Sequence, residues 1–233
     1  MFHFKKFSIS QENSAMKVGT DGVLLGAWAD FPLAGNILDV GTGTGLLSLM
    51  AAQRTQAKIH AIEICPNASK DAALNFTNSD WNSRLSFRNI SLKDFYEINS
   101  LTFDYIVCNP PFYNSTYLPD DNSRAWARQN QALKIEDLFR ISNELLSENG
   151  KISVIFPETG FNENLKIAEN TGFFPVRITY VKPNISKPVK RVLFEAGKAR
   201  TVFSENSISI ETDKRHEYSP EYIELTKDFY MKM

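Results

Sequence analysis

The chain has 233 residues, of which 42% are hydrophobic and 23% charged, a balance that suits one sizeable globular core and excludes a disordered or fibrous protein. The formal net charge of −1 gives no overall pull toward phosphate, so any nucleic-acid surface has to come from a local concentration of bases. No run of eighteen uncharged apolar residues and no signal-peptide pattern is seen, which leads us to expect a cytoplasmic protein with no membrane partner. The two cysteines, Cys65 and Cys108, lack CxxC or Cys/His spacing, so neither a disulfide framework nor a metal site is expected.

In chain order, residues 23–29 read as a short helix capped by Thr20 or Asp21, inside an N-terminal appendage or lid covering residues 1–34. A strand over 36–40, a glycine turn and a helix over 46–52 form a first βα unit. A strand over 58–64 and a helix opened by Pro66 and running to Asn78 form a second. Strands follow over 84–90 and 103–108, then a helix over 135–146 closed by Asn149-Gly150, and a strand over 151–156. Two β-like runs, 174–181 and 189–196, share a Pro/Lys/Asn loop and suggest a closing hairpin with an antiparallel edge strand. The alternation implies an α/β fold with a mostly parallel sheet and helices on both faces. We read one domain over 1–233, with a core at 35–200 and a C-terminal extension at 201–233.

Asp39-Val40-Gly41-Thr42-Gly43-Thr44-Gly45 joins the first strand to the first core helix, where open α/β sheets bind their ligands. A dinucleotide fingerprint would need glycine at position 46, which is Leu46, so a pyrophosphate is not the expected ligand. Glu63, near the end of the second core strand, can accept hydrogen bonds from ribose hydroxyls. Asp39 favours a ligand with an amino group and a sulfonium. Asp39, Gly41, Thr42, Gly43, Gly45 and Glu63 together point to S-adenosylmethionine. Asp94, after the third strand, is a candidate for the adenine amino group of that cofactor or for a turn cap.

The strand ending at Cys108 runs into Asn109-Pro110-Pro111-Phe112, whose two prolines stop the ladder and hold the backbone extended. A conjugated amino nitrogen is a poor nucleophile and has to be held. The Asn109 side-chain oxygen and the Pro110 carbonyl can each accept one of its N–H groups and turn its lone pair toward a methyl donor, with Asn109 also beside the cofactor. Phe112 can stack on a base, and the two acceptors stabilise the positive charge that develops on nitrogen.

The glycine loop, Glu63 and the Asn-Pro-Pro-Phe turn resemble those of class I amino-methyltransferases. The string from Met16 to Trp28, Met-Lys-Val-Gly-Thr-Asp-Gly-Val-Leu-Leu-Gly-Ala-Trp, is similar to that of the bacterial tRNA1(Val) adenine-37 N6-methyltransferases, as is Arg124-Ala-Trp-Ala-Arg128. The resemblance covers residues 15–195 and implies a Rossmann-like, seven-stranded methyltransferase sheet acting on the adenine 3′ to the anticodon of a valine tRNA. Gln129 and the acidic tail depart from the family pattern.

Residues 113–133 form a long polar connection in which Arg124 and Arg128 can reach phosphates or stack on a base. Between Phe174 and Arg200 lie seven basic residues and one acidic one, a balance of +6 that makes Lys190 and Arg191 candidates for tRNA phosphate contacts. Three alternatives stay open: a protein-glutamine N5-methyltransferase, a guanine-N2 methyltransferase acting on ribosomal RNA, and a non-catalytic RNA-binding module.

Overall fold

In the computed structural model, residues 1–111 and 133–232 are described. Strands β1 (Phe2–His3) and β2 (Ser8–Ile9) pair antiparallel ahead of helix α1 (Thr20–Trp28). The first βα units are β3 (Asn36–Val40) with α2 (Leu46–Arg54), β4 (Lys58–Glu63) with α3 (Pro66–Thr77), and β5 (Leu85–Asn89) with α4 (Leu92–Ile98). Next come β6 (Phe103–Cys108), α5 (Ile135–Leu145), β7 (Leu146–Pro157) and α6 (Phe161–Asn170). The chain closes with β8 (Phe174–Asn184), β9 (Arg191–Gly197), β10 (Ser204–Glu211) and α7 (Pro220–Thr226).

Eight strands form one sheet in the order β10-β8-β9-β7-β6-β3-β4-β5, and only β9 runs against its neighbours. Because successive side chains of a strand point to opposite faces, each strand feeds two cores. Leu38, Val40, Ile106 and Val154 pack under α4, α5 and α6 through Phe95, Leu138, Phe139 and Phe161. Ile37, Ile59, Val107 and Leu193 pack on the other face against Leu24, Leu25 and Trp28 of α1, Leu47 of α2 and Tyr222 of α7.

The α/β architecture is the one read from the sequence, and three details differ. The sheet has eight strands where seven were expected, because residues 204–211, assigned to the extension, add β10 parallel to β8 from Ser204↔Arg177 to Glu211↔Asn184. The antiparallel strand is not at the edge: β9 lies between β7 and β8. Finally, β7 begins at Leu146, not at Lys151, because Leu146 pairs with Phe103 before the register shifts at Tyr105.

Helix α1 is built into the fold. It is preceded by Gly19, with no side-chain cap from Thr20 or Asp21, and residues from Gly22 to Trp28 are buried. A Cβ on Gly22 would lie 2.9 Å from Leu46, and one on Gly26 would lie 2.5 Å from the Met50 sulfur, so this glycine pair lets α1 press against α2. At its far end the Trp28 indole donates to Thr179 Oγ1 at 2.9 Å, and the Arg177 guanidinium lies 3.8 Å from the Trp28 ring centroid. No helix among the described residues is long and apolar enough to cross a membrane.

Candidate active site

The carboxyl ends of β3, β4 and β6, adjacent in the sheet, carry Asp39, Glu63 and Cys108 followed by Asn109. The loop after β3 is fixed by its own backbone: the N–H groups of Gly41 and Thr42 donate to the Ile62 carbonyl at 2.9 and 3.0 Å. Gly41, Gly43 and Gly45 have φ of +70°, +58° and +87°, the left-handed region that side chains resist, and this turns the chain from strand into helix. A Cβ at Gly41 or Gly43 would meet nothing within 4 Å, so the loop presents bare backbone to an open space.

Asp39 has no exposed surface. Its Oδ2 accepts from Thr42 Oγ1 at 2.5 Å, from the Ser48 N–H at 3.1 Å and from Ser48 Oγ at 2.7 Å, while buried Oδ1 has no partner. Burial outweighs these hydrogen bonds, and the Glu63 charge adds to it, so the Asp39 carboxyl is pushed up to about 6. The same burial, followed by the charges of Asp39 and Glu63, raises the Cys108 thiol well above its ordinary range. This end of the sheet is a negative site that a cation would relieve.

Glu63 Oε2 accepts from the Gly43 N–H at 2.9 Å and Oε1 from the Cys65 N–H at 2.8 Å, which locks the carboxylate between the glycine loop and the start of α3. Each oxygen keeps lone-pair capacity for a further donor. Asp94 is exposed, and with Ser91 it forms a reciprocal cap at the start of α4: its N–H donates to Ser91 Oγ at 3.1 Å and its Oδ2 accepts from the Ser91 hydroxyl at 2.6 Å.

Asn109 Oδ1 is buried and without a partner, in the manner of Asp39 Oδ1. Its Nδ2 lies 3.8 Å from the Cβ position of Gly22, so α1 reaches the Asn-Pro-Pro turn. Pro110 is buried and Pro111 exposed. Buried polar atoms are almost always paired in folded proteins, so these two acceptors at one end of one sheet are open to donors from outside the chain. Phe112, Arg124 and Arg128 lie outside the described residues.

Arg191 opens β9 opposite Pro157, and its Nε donates to Asp21 Oδ2 at 2.8 Å, tying the hairpin to the first turn of α1. Lys190 beside it is exposed. Among the described residues no group of three or more His, Cys, Asp or Glu is placed to hold a metal ion.

Three further polar side chains, which no motif in the sequence marks, hold the loop and its surroundings. Ser48 stands alone among the apolar residues of α2, and Asp71 and Asn75 sit four apart on α3 beside Ala72 and Phe76. A polar side chain on an apolar helix face was the available signal, because it has to find a partner when buried. Each does: Ser48 at Asp39, Asp71 at Asn13 and Ser14, and Asn75 at Ser10 and Thr44.

The chain is similar to known methyltransferases. A family model described as the methyltransferase small domain matches residues 18–169. A protein of Flavobacterium psychrophilum named tRNA1(Val) (adenine(37)-N6)-methyltransferase is 45% identical over 237 residues, covering 100% of both chains. One of the same name from Vibrio vulnificus is 43% identical over 234 residues, covering 100% of this chain and 96% of the other. Among solved structures, one described as a predicted O-methyltransferase from Agrobacterium tumefaciens matches with a TM-score of 0.71 at 18% identity. It covers 90% of this chain and 96% of that one, a likeness of fold alone.

Proposed function

We propose, from the premise that this chain belongs to the methyltransferase small domain family and within it to the tRNA1(Val) (adenine(37)-N6)-methyltransferases, that it methylates N6 of adenine-37 in a valine tRNA with S-adenosylmethionine as methyl donor. The observation that carries the reading is the pair of buried, unpartnered acceptors, Asp39 Oδ1 and Asn109 Oδ1, at the ends of neighbouring strands.

The residues present fit the cofactor. Asp39 Oδ1 offers an acceptor to its amino group, the open face at Gly41 and Gly43 admits it against bare backbone, and Glu63 has capacity left for ribose hydroxyls. Asp94 is a candidate for the adenine end. When bound, the cofactor supplies an electrophilic methyl group on a cationic sulfur.

Asn109 Oδ1 and the Pro110 carbonyl take the two N–H groups of the substrate amino nitrogen. This fixes the direction of the remaining lone pair and lowers the energy of the ammonium-like charge that develops on nitrogen. The prolines at 110 and 111 hold those acceptors still. Phe112 is assigned to stacking on the base, and Arg124, Arg128, Lys190 and Arg191 to the phosphates of the anticodon arm. The target base is single-stranded in an anticodon loop, so turning it into the site costs less than flipping it from a duplex.

The test is to incubate the purified protein with methyl-labelled S-adenosylmethionine and total tRNA from a strain lacking the gene, then to map the product by nuclease digestion and mass spectrometry. Label on N6 of adenine-37 in a valine tRNA is expected. No label in tRNA, or label confined to another base such as guanine N2, would overturn the substrate assignment.

A further inference from the structure

The N-terminal segment before α1 is held to the cofactor side of the fold by two side chains of α3. Asp71 accepts four hydrogen bonds: Oδ2 takes the Asn13 N–H at 3.0 Å, the Ser14 N–H at 2.7 Å and the Ser14 hydroxyl at 2.7 Å, and Oδ1 takes Asn13 Nδ2 at 2.8 Å. One turn further along, Asn75 does something different. Its Oδ1 accepts from the Ser10 N–H at 2.8 Å, and its Nδ2 donates both to the Ser10 carbonyl at 2.8 Å and to the Thr44 carbonyl at 2.8 Å.

Thr44 belongs to the glycine loop, so one amide spans two segments that are thirty-four residues apart in the chain (44 − 10). Asn75, Ser10 and Thr44 are 4%, 8% and 6% exposed, which puts all three polar groups out of reach of water. The next residue of α3, Phe76, fills the space beside Gly45: a Cβ there would lie 2.5 Å from its ring. The segment then runs from Ser14 on α3 to the first turn of α1 at Gly22, beside Asn109. It therefore runs from α3, on the β4 side of β3, to the Asn-Pro-Pro turn, on the β6 side, with the glycine loop at the end of β3 between them.

We propose that Asn75 is a positioning residue for the cofactor, clamping the Thr44 carbonyl of the glycine loop to Ser10 so that residues 10–18 stand as a fixed wall of the cofactor crevice. The physical reason is the cost of any alternative. A buried peptide group without a partner is strongly disfavoured, so as long as Asn75 is in place the loop and the segment cannot move independently. The loop is then already in its binding conformation before the cofactor arrives, and binding does not have to supply the ordering. Asp71 anchors the same segment without touching the loop, so it lacks this coupling role. The inference rests on the S-adenosylmethionine reading of the site.

The test is the variant Asn75→Asp, which keeps the shape and the acceptor for the Ser10 N–H but replaces the donor to both carbonyls with an oxygen. Calorimetry with S-adenosylmethionine should show a dissociation constant raised about tenfold or more, while kcat at saturating cofactor stays within about twofold of wild type. An unchanged dissociation constant, or a fall confined to kcat, would overturn the inference.

If that variant does not fold, amide hydrogen exchange on the wild-type protein decides. In the protein without ligand the Ser10, Asn13 and Ser14 amides should already exchange slowly, and S-adenosylhomocysteine should change their rates by less than about twofold; fast exchange there that only the ligand slows overturns the proposal. Wild-type protein that binds neither compound would overturn the cofactor reading and this inference with it. Normal wild-type binding together with normal Asn75→Asp binding would overturn this inference alone.

Discussion

Ser48 gives both its backbone N–H and its hydroxyl to one oxygen of Asp39, at 3.1 and 2.7 Å, and leaves the other oxygen buried with no partner. A helix start thus aims a carboxylate. Oδ2 is held by α2 and Thr42, and Oδ1 is left with its acceptor capacity unused.

The first prediction follows from the Asp39 carboxyl at about 6 against an ordinary 3.8. Its folded value is raised, so between these two values the folded state keeps a proton that the unfolded state has released. Its contribution to stability is fully present below pH 3.8, is lost as pH rises through about 6, and amounts to about 3 kcal/mol at most. A bound ammonium group favours the ionised form, so cofactor affinity should climb as pH rises through about 6, and binding near pH 5.5 should release a proton. Calorimetry in two buffers of different ionisation enthalpy reads that proton, and Asp39→Asn should abolish the release. No buffer dependence in the wild type would separate Asp39 from the cofactor.

Glu63→Ala removes an acceptor from the Gly43 and Cys65 N–H groups as well as from the proposed ribose contact. Hydrogen bonds to a charged group contribute about 1.5 to 3 kcal/mol, so the cofactor dissociation constant should rise by roughly ten- to more than a hundredfold. Wild-type affinity in a calorimetric titration would take Glu63 out of the site.

Asn109→Ala should separate binding from chemistry. The orphaned Oδ1 is assigned to the substrate amino group, so cofactor affinity should stay within a few-fold while single-turnover methyl transfer slows by at least roughly a hundredfold. A transfer rate equal to wild type would exclude the assignment.

Gly45→Ala should destabilise the fold through two causes that can be told apart. The backbone there has φ of +87°, and the added methyl carbon would sit 2.5 Å from Phe76 Cε1. A residue forced into the left-handed region costs about 1 to 2 kcal/mol, and overpacking adds about 1 to 3 kcal/mol. Denaturant unfolding should show both in the single variant, with partial recovery in Gly45→Ala/Phe76→Leu. Full recovery would mean that the backbone carries no strain.

Much of this was legible in the chain itself. Short apolar runs ending in glycine or proline announced β3 and β6, and the alternation of strands with helices announced a parallel sheet, because these patterns depend on residues adjacent in sequence. The spacing of Asp39, the three glycines, Glu63 and Asn109 placed a glycine loop and an Asn-Pro-Pro turn at strand ends for the same reason. The parts that stayed hidden depend on pairing at a distance. Strand β10, with its Ser-Glu-Asn-Ser start, has little apolar character and is a strand because β8 lends it a ladder.

The same division holds at the site. Residue types and order alone determined that Asp39, Glu63 and Asn109 lie at the carboxyl ends of strands, and the sheet decided that those strands are neighbours. Only the tertiary structure decided that Ser48 would commit one Asp39 oxygen and free the other, that Arg191 would pair with Asp21, and that Asn75 would join Ser10 to Thr44. Hydrogen bonds between buried groups reach about 3 Å and take no account of separation in the chain, so their partners are settled by packing and not by any local pattern.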